Sequence, residues 1–195
     1  MKGRPDLSRT VVVGTSCSGK TVFARQLAAH LNAPHIELDA LHWLPGWQER
    51  DSGEFVAVVG QAAAAPAWVA DGNYGRARSV LWQRASAIVW LNYPFRIVFA
   101  RALRRTLVRA ATREELWSGN RESLRLAFLS RRSILWWVIT THRRRQREYR
   151  ALFDRPPWPH LVPIELEHPR GAARFLATLP DTAIRTAPRA ARPQR

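Results

Sequence analysis

The chain has 195 residues, 46% of them apolar and nine of them Trp, enough to build one well-filled core and to exclude a disordered polymer. Its net charge is +16, and Cys17, its one cysteine, rules out an intrachain disulfide. The longest apolar run near the middle, Ile134 to Ile139, is far too short to span a bilayer, and no apolar segment follows the first charges, so a cytoplasmic protein with no signal peptide and no membrane partner is expected.

Thr10 to Val13 is a short β-branched run and reads as a buried strand. A helix is predicted from Gly19 to about Leu31, with Phe23, Leu27 and Leu31 on one stripe, ending before Pro34. His35 to Leu38 reads as a second strand closed by Asp39, and residues 43–50, with Pro45 and Gly46, as a loop. Residues 52–65 read as a helix ended by Pro66. Trp68 to Ala70 is a third predicted strand, closed by Asp71-Gly72-Asn73, and Ala87 to Leu91 a fourth, closed by Asn92 and Pro94. Helices are predicted over 95–111 and 121–149, a fifth strand over His160 to Leu166, and a last helix over Gly171 to Leu179. Residues 1–180 are read as a single domain, and the Arg-, Ala- and Pro-rich residues 181–195 as a disordered basic tail. No internal repeat is seen.

Short apolar strands alternating with helices imply an α/β protein, with a parallel five-stranded sheet covered by helices on both faces. Ligands of such sheets bind at the carboxyl ends of the strands. Gly14, Asp39, Asp71 and Asn92 all fall there.

The stretch Gly14-Thr15-Ser16-Cys17-Ser18-Gly19-Lys20-Thr21 is a P-loop between a predicted strand and a predicted helix. Its glycines let the backbone curl so that N–H groups converge on phosphate oxygens, and the following helix adds its positive end. Lys20 would reach the β- and γ-phosphates of ATP, and Thr21 would ligate Mg²⁺. The chain has two lysines, Lys2 and Lys20, against 29 arginines. A lysine kept in the body of so Arg-rich a protein marks a place where a compact ammonium fits and a planar guanidinium does not. Asp71 would face Mg²⁺ across from Thr21, Asp39 would orient or deprotonate an acceptor hydroxyl, and His42 and Trp43 would line the acceptor pocket. Cys17 sits at a helix N-terminus, where a redox role competes with the plainer reading of a variable P-loop position.

The charge is unevenly placed. Residues 96–150 hold 15 Arg against 4 acidic residues, a net of +11. Arg101, Arg105, Arg109 and Arg113 recur every fourth residue, so one helix would present them as a single stripe, either a lid over phosphates or a solvated basic face. Arg143-Arg144-Arg145 are consecutive, point around a helix and cannot all serve one small site.

Taken together, the P-loop, Leu38-Asp39 with His42-Trp43 and Pro45-Gly46-Trp47, Trp68-Val69-Ala70-Asp71-Gly72-Asn73-Tyr74, Val89-Trp90-Leu91-Asn92-Tyr93-Pro94, Thr112-Arg113-Glu114-Glu115-Leu116-Trp117 and Gly119-Asn120-Arg121-Glu122-Ser123 are specific. Over about residues 10–180, including Trp136-Trp137 before a His-Arg run, the chain resembles the adenylate kinase-like P-loop kinases often labelled DNA topology modulation proteins. The resemblance implies a three-layer P-loop NTPase fold of the nucleotide-kinase type with a helical Arg-rich lid at about 96–150, and ATP- and Mg²⁺-dependent transfer to a small acceptor. On that reading Lys20, Asp39, Asp71, Arg105, Arg109 and Arg113 are catalytic, Thr21 and Asp71 hold the metal, and Asp39, His42, Trp43, Asn73 and Tyr74 form the acceptor pocket. The chain departs from the pattern at Asn92, where the family has Asp, and at Cys17, where it has Gly.

A small-molecule kinase, monomeric or homodimeric, is therefore the expectation, with a nucleoside, nucleotide or metabolite as acceptor. The competing expectation is an ATP-dependent nucleic-acid-binding or DNA-topology-modulating regulator, supported by the basic segment. No helix-turn-helix or zinc-finger pattern accompanies that segment, so weak nonspecific nucleic-acid binding is the form it would take. A motor-type ATPase ranks last, because no apolar run ends in paired acids.

Overall fold

The computed structural model describes residues 5–112 and 134–179, with the side chains of 109–112 left aside. Five parallel strands form the main sheet: β1 (Arg9–Gly14), β2 (His35–Glu37), β5 (Trp68–Asp71), β6 (Ala87–Leu91) and β7 (Val162–Leu166), in the order β2-β5-β1-β6-β7. β1 lies at the centre, so Val11, Val12 and Val13 are covered from both faces and can be uniformly β-branched. β7 is an edge strand, which is why it tolerates Pro163 with its missing N–H.

The period-two alternation of the strands sorts the core into two layers. On one face Val11, Val13, Leu38, Trp68, Ala70, Ile88 and Trp90 meet Phe55 and Val59 of α3 (Ser52–Ala62), Leu81 and Trp82 of α4 (Gly75–Arg84) and Tyr149 of α6 (Ile134–Asp154). On the other, Val12, Val69, Val89 and Leu91 meet Phe23, Ala24 and Leu27 of α1 (Lys20–Leu31), Val98 and Ala102 of α5 (Phe95–Thr112) and Ala172 and Leu176 of α7 (Pro169–Ala177). Asp71 follows Val69 by two residues and so points to the α1 face, where the P-loop ends.

All five predicted strands are present within two residues of their predicted bounds. Three stretches depart from the sequence reading. Residues 43–50 are not a plain loop: β3 (Trp43–Leu44) and β4 (Gln48–Glu49) pair antiparallel around a 3₁₀ turn at Pro45–Trp47, with Gly46 at φ 71°. A short helix, α2 (Leu38–His42), carries Asp39, and α4 fills a stretch in which no helix was predicted. The helix predicted over 52–65 ends at Ala62, and its start is fixed by Asp51, whose carboxylate accepts from the N–H groups of Gly53 and Glu54. The expected tail at 181–195, the first part of the helix predicted over 121–149, and the motifs at 113–123 lie outside the described residues.

Candidate active site

The P-loop leaves β1 at Gly14, whose φ of 149° and whose crowding by Leu91 exclude a side chain: a Cβ there would lie 2.8 Å from the Leu91 carbonyl oxygen. A tight turn follows, closed by the Ser18 N–H on the Thr15 carbonyl at 3.1 Å. Cys17 adopts φ 64°, a conformation that costs a non-glycine residue about 1 kcal/mol. Gly19 at φ 92° then turns the chain into α1.

Lys20 Nζ donates to the Thr15 carbonyl at 3.2 Å. Burial lowers its pKa, while the charges of Asp71 and then Asp39 oppose that shift and Arg105 adds to it. Those four charges therefore share one neighbourhood. The Thr21 hydroxyl donates to Asp71 Oδ2 at 2.8 Å, and Asp71 Oδ1 accepts from His35 Nε2 at 2.7 Å. Asp71 is buried.

Asp39 stands on α2 with Oδ1 accepting from the Tyr74 hydroxyl at 2.6 Å. Burial first, then the Asp39 carboxylate, pushes the Tyr74 pKa far above the usual phenol range, so Tyr74 stays a donor. His42 is 3% exposed. Its ring centroid lies 4.7 Å from Trp43, 5.3 Å from Phe55 and 4.6 Å from Tyr74, and its Nε2 is 3.6 Å from Glu49. Burial lowers its pKa, and no hydrogen-bond partner meets its Nδ1 among the described residues.

Of the residues predicted for the site, the structure brings together the P-loop, Lys20, Thr21, Asp39, Asp71 and Arg105, with His42, Trp43 and Tyr74 beside Asp39. Asn73 serves differently from an acceptor contact. Its amide donates to the Gly14 carbonyl at 2.7 Å and its oxygen accepts from the Tyr149 hydroxyl at 2.8 Å, which ties the start of the P-loop to α6. Asn92 donates to Glu165 at 2.7 Å and accepts from Gln146 at 2.9 Å. The side chain of Arg109 and all of Arg113 lie outside the described residues. One contributor went unseen in the sequence, and one stripe residue acquires a specific contact. His35 opens a strand with no motif around it. Arg101 was noted only as one of a stripe, yet its Nη1 donates to the Ser18 carbonyl at 2.6 Å and its guanidinium stacks 5.4 Å from the Tyr93 ring. The redox reading of Cys17 gains no partner here, since Cys17 is the one cysteine.

Thr21 and Asp71 offer hard oxygen donors at a helix N-terminus beside Lys20, a set that fits Mg²⁺ better than a softer metal.

No family model matches the sequence, and no curated protein matches it. Solved structures do. The shikimate kinase from Acinetobacter baumannii in complex with shikimate aligns with a TM-score of 0.56 and 21% identity over 89% of this chain and 90% of that one. A gluconokinase from Sinorhizobium meliloti 1021 aligns with a TM-score of 0.48 and 21% identity over 95% of this chain and 100% of that one. The sheet order and the position of the P-loop thus define a kinase-type P-loop NTPase fold. The label of DNA topology modulation protein has no support beyond the sequence motifs. Among the described residues no helix is long and apolar enough to cross a membrane.

Proposed function

We propose that the protein transfers the γ-phosphoryl group of ATP to a hydroxyl of a small acceptor, with Mg²⁺ as cofactor. The observation that carries this is the convergence of three strand ends on Lys20: Thr21 hydrogen-bonded to Asp71 at 2.8 Å, and Asp39 held by Tyr74 at 2.6 Å on the neighbouring side. Backbone N–H groups of residues 14–20 cradle the phosphates, and Lys20 moves from the Thr15 carbonyl to the β- and γ-phosphate oxygens. Thr21 and Asp71 would hold Mg²⁺, which supplies charge neutralisation at the phosphates. Asp39 Oδ1 is occupied by Tyr74, which leaves Oδ2 to accept the acceptor's proton as its oxygen bonds to the γ-phosphorus and the bridging oxygen departs with ADP. Arg105 adds positive charge beside Lys20, and Arg109 and Arg113 would be further cations of the proposed lid. The whole of residues 1–180 would act as one domain.

The test is transfer of label from ATP to a panel of nucleosides, nucleotides, sugars and hydroxy acids, with shikimate and gluconate included because the structural neighbours are kinases of those names. Lys20→Ala is expected to lower turnover by about 10²- to 10³-fold. ATP binding with no transfer to any acceptor would sink the proposal.

The second reading, ATP-linked nucleic-acid binding, draws on Arg143, Arg144 and Arg147, which are exposed on α6. Their charge supports phosphate-backbone contacts that fade steeply with salt, and a change of that binding on adding ATP is what this reading requires.

A further inference from the structure

Asp71 is 3% exposed and both of its oxygens are engaged, one by the P-loop and one by a residue outside every motif of the fold. A carboxylate can only accept, so Thr21 donates to Oδ2 and the Nε2–H of His35 to Oδ1. The reach of His35 follows from strand register. His35 stands opposite Val69 in the β2–β5 pairing, so it shares a sheet face with Asp71 two residues farther on, and an imidazole spans that interval. Its side chain is 15% exposed.

We infer that His35 is a positioning residue that holds Asp71 on Thr21 and away from Lys20. Asp71 is the strongest attracting charge on the Lys20 ammonium. In a buried setting an acid and an amine so placed tend to pair directly. A direct pair would take the lysine from the phosphates and turn the carboxylate from Thr21. With Oδ1 bound to His35 and Oδ2 to Thr21, the carboxylate plane is fixed at both ends. Lys20 then rests on the neutral Thr15 carbonyl at 3.2 Å, a partner it leaves easily when phosphate arrives. The same clamp directs the Thr21 hydroxyl hydrogen inward, so that its lone pairs face the phosphate side. This role rests on the P-loop kinase reading of the site.

The experiment measures the affinity of the full chain for a fluorescent ADP analogue with Mg²⁺, alongside thermal unfolding. His35→Leu removes the donor at similar volume, His35→Met is a second apolar replacement, and His35→Gln restores an N–H at the reach of Nε2. The apolar variants are expected to weaken binding by about tenfold, and the glutamine to stay within about threefold of the parent. In an Asp71→Asn background the same His35→Leu change is expected to add nothing, because its target has been altered. Unchanged affinity in folded His35→Leu or His35→Met overturns the inference, as does an equal loss with and without Asp71, which marks a merely structural contribution. Failure of the parent chain to bind the ADP analogue overturns the kinase reading itself, so the two failures are told apart by the parent arm.

Discussion

Gly72→Ala tests the placement of the two acids at once. Gly72 follows Asp71 at φ 147°, and a Cβ there would lie 2.8 Å from Leu38 Cβ, 2.9 Å from its Cδ1 and 3.1 Å from its Cγ. Leu38 is 1% exposed, packs in the core under the sheet, and immediately precedes Asp39. Relief therefore requires moving either the residue before one acid or the residue after the other. Overpacking of this kind costs about 1–3 kcal/mol, and a side chain at this φ adds about 1 kcal/mol, for a total of about 2–4 kcal/mol. In a chain of this size that corresponds to about 4–16 °C in Tm. Thermal and urea unfolding measure it, and Gly75→Ala, where no heavy atom lies within 4 Å of a new Cβ, is the internal control. The expected pattern is a destabilised Gly72→Ala that also loses phosphoryl transfer, beside a near-neutral Gly75→Ala. A Gly72→Ala variant within about 0.5 kcal/mol of the parent would refute the close approach of Leu38 and the coupling of Asp39 to Asp71 through it.

Two further predictions concern pH. Burial pushes the Tyr149 pKa up to about 12, so its neutral form favours the fold; the resulting stability is fully present below pH 10 and is lost as pH rises toward 12, a loss of about 3 kcal/mol that Tyr149→Phe should flatten in alkaline unfolding curves. Burial lowers the His42 pKa, so its contribution has the opposite sign: it is present above the ordinary histidine pKa and lost as pH falls below it toward the folded value, and His42→Leu should lose less stability than the parent as pH falls from 7 to 5 in acid unfolding curves.

The inner strands β1, β5 and β6 were legible because each is a short apolar run closed by Gly, Asp or Asn, and burial on both faces demands that composition. The P-loop was legible because its geometry admits few residue types. α4 was not. Its sequence Gly-Arg-Ala-Arg-Ser-Val-Leu-Trp-Gln-Arg starts with a helix breaker, lacks a side-chain cap and carries three arginines, and it is held by packing of Ala77, Leu81 and Trp82 against α3 and the sheet. The hairpin at 43–49 was hidden because two-residue strands carry no periodicity, and Trp47 at φ 58° is set by the turn rather than by its own preference. In the site, residues inside motifs were found and residues defined by register were not. His35 meets Asp71 only because β2 pairs with β5, a contact between positions 36 apart in sequence. The assignment of Asn73 to an acceptor pocket came from its place in a motif, whereas its amide is engaged by Gly14 and Tyr149.

The asparagine that follows β6 has a local chemical reason. Asn92 donates to Glu165, and Glu165 in turn accepts both Nη groups of Arg150, at 2.9 and 2.6 Å. An aspartate at 92 would set a second carboxylate against Glu165 and remove the donor between them. The amide is thus what the edge strand β7 requires once it carries Glu165. Its oxygen also receives Gln146, while His142 Nε2 approaches the Tyr93 carbonyl at 3.1 Å. These contacts pin α6 to the carboxyl edge of the sheet over a single stretch, 142–150, which is also its most basic. The arginines divide by partner: Arg145 pairs with Glu148 at 3.4 Å and the exposed Arg150 with Glu165, while Arg143, Arg144 and Arg147 are exposed. Two of the five arginines in this stretch, Arg145 and Arg150, are therefore engaged by carboxylates. Among the described residues, Lys20, Arg101 and Arg105 are cations that answer to the site near the P-loop, the two guanidiniums standing four residues apart on α5.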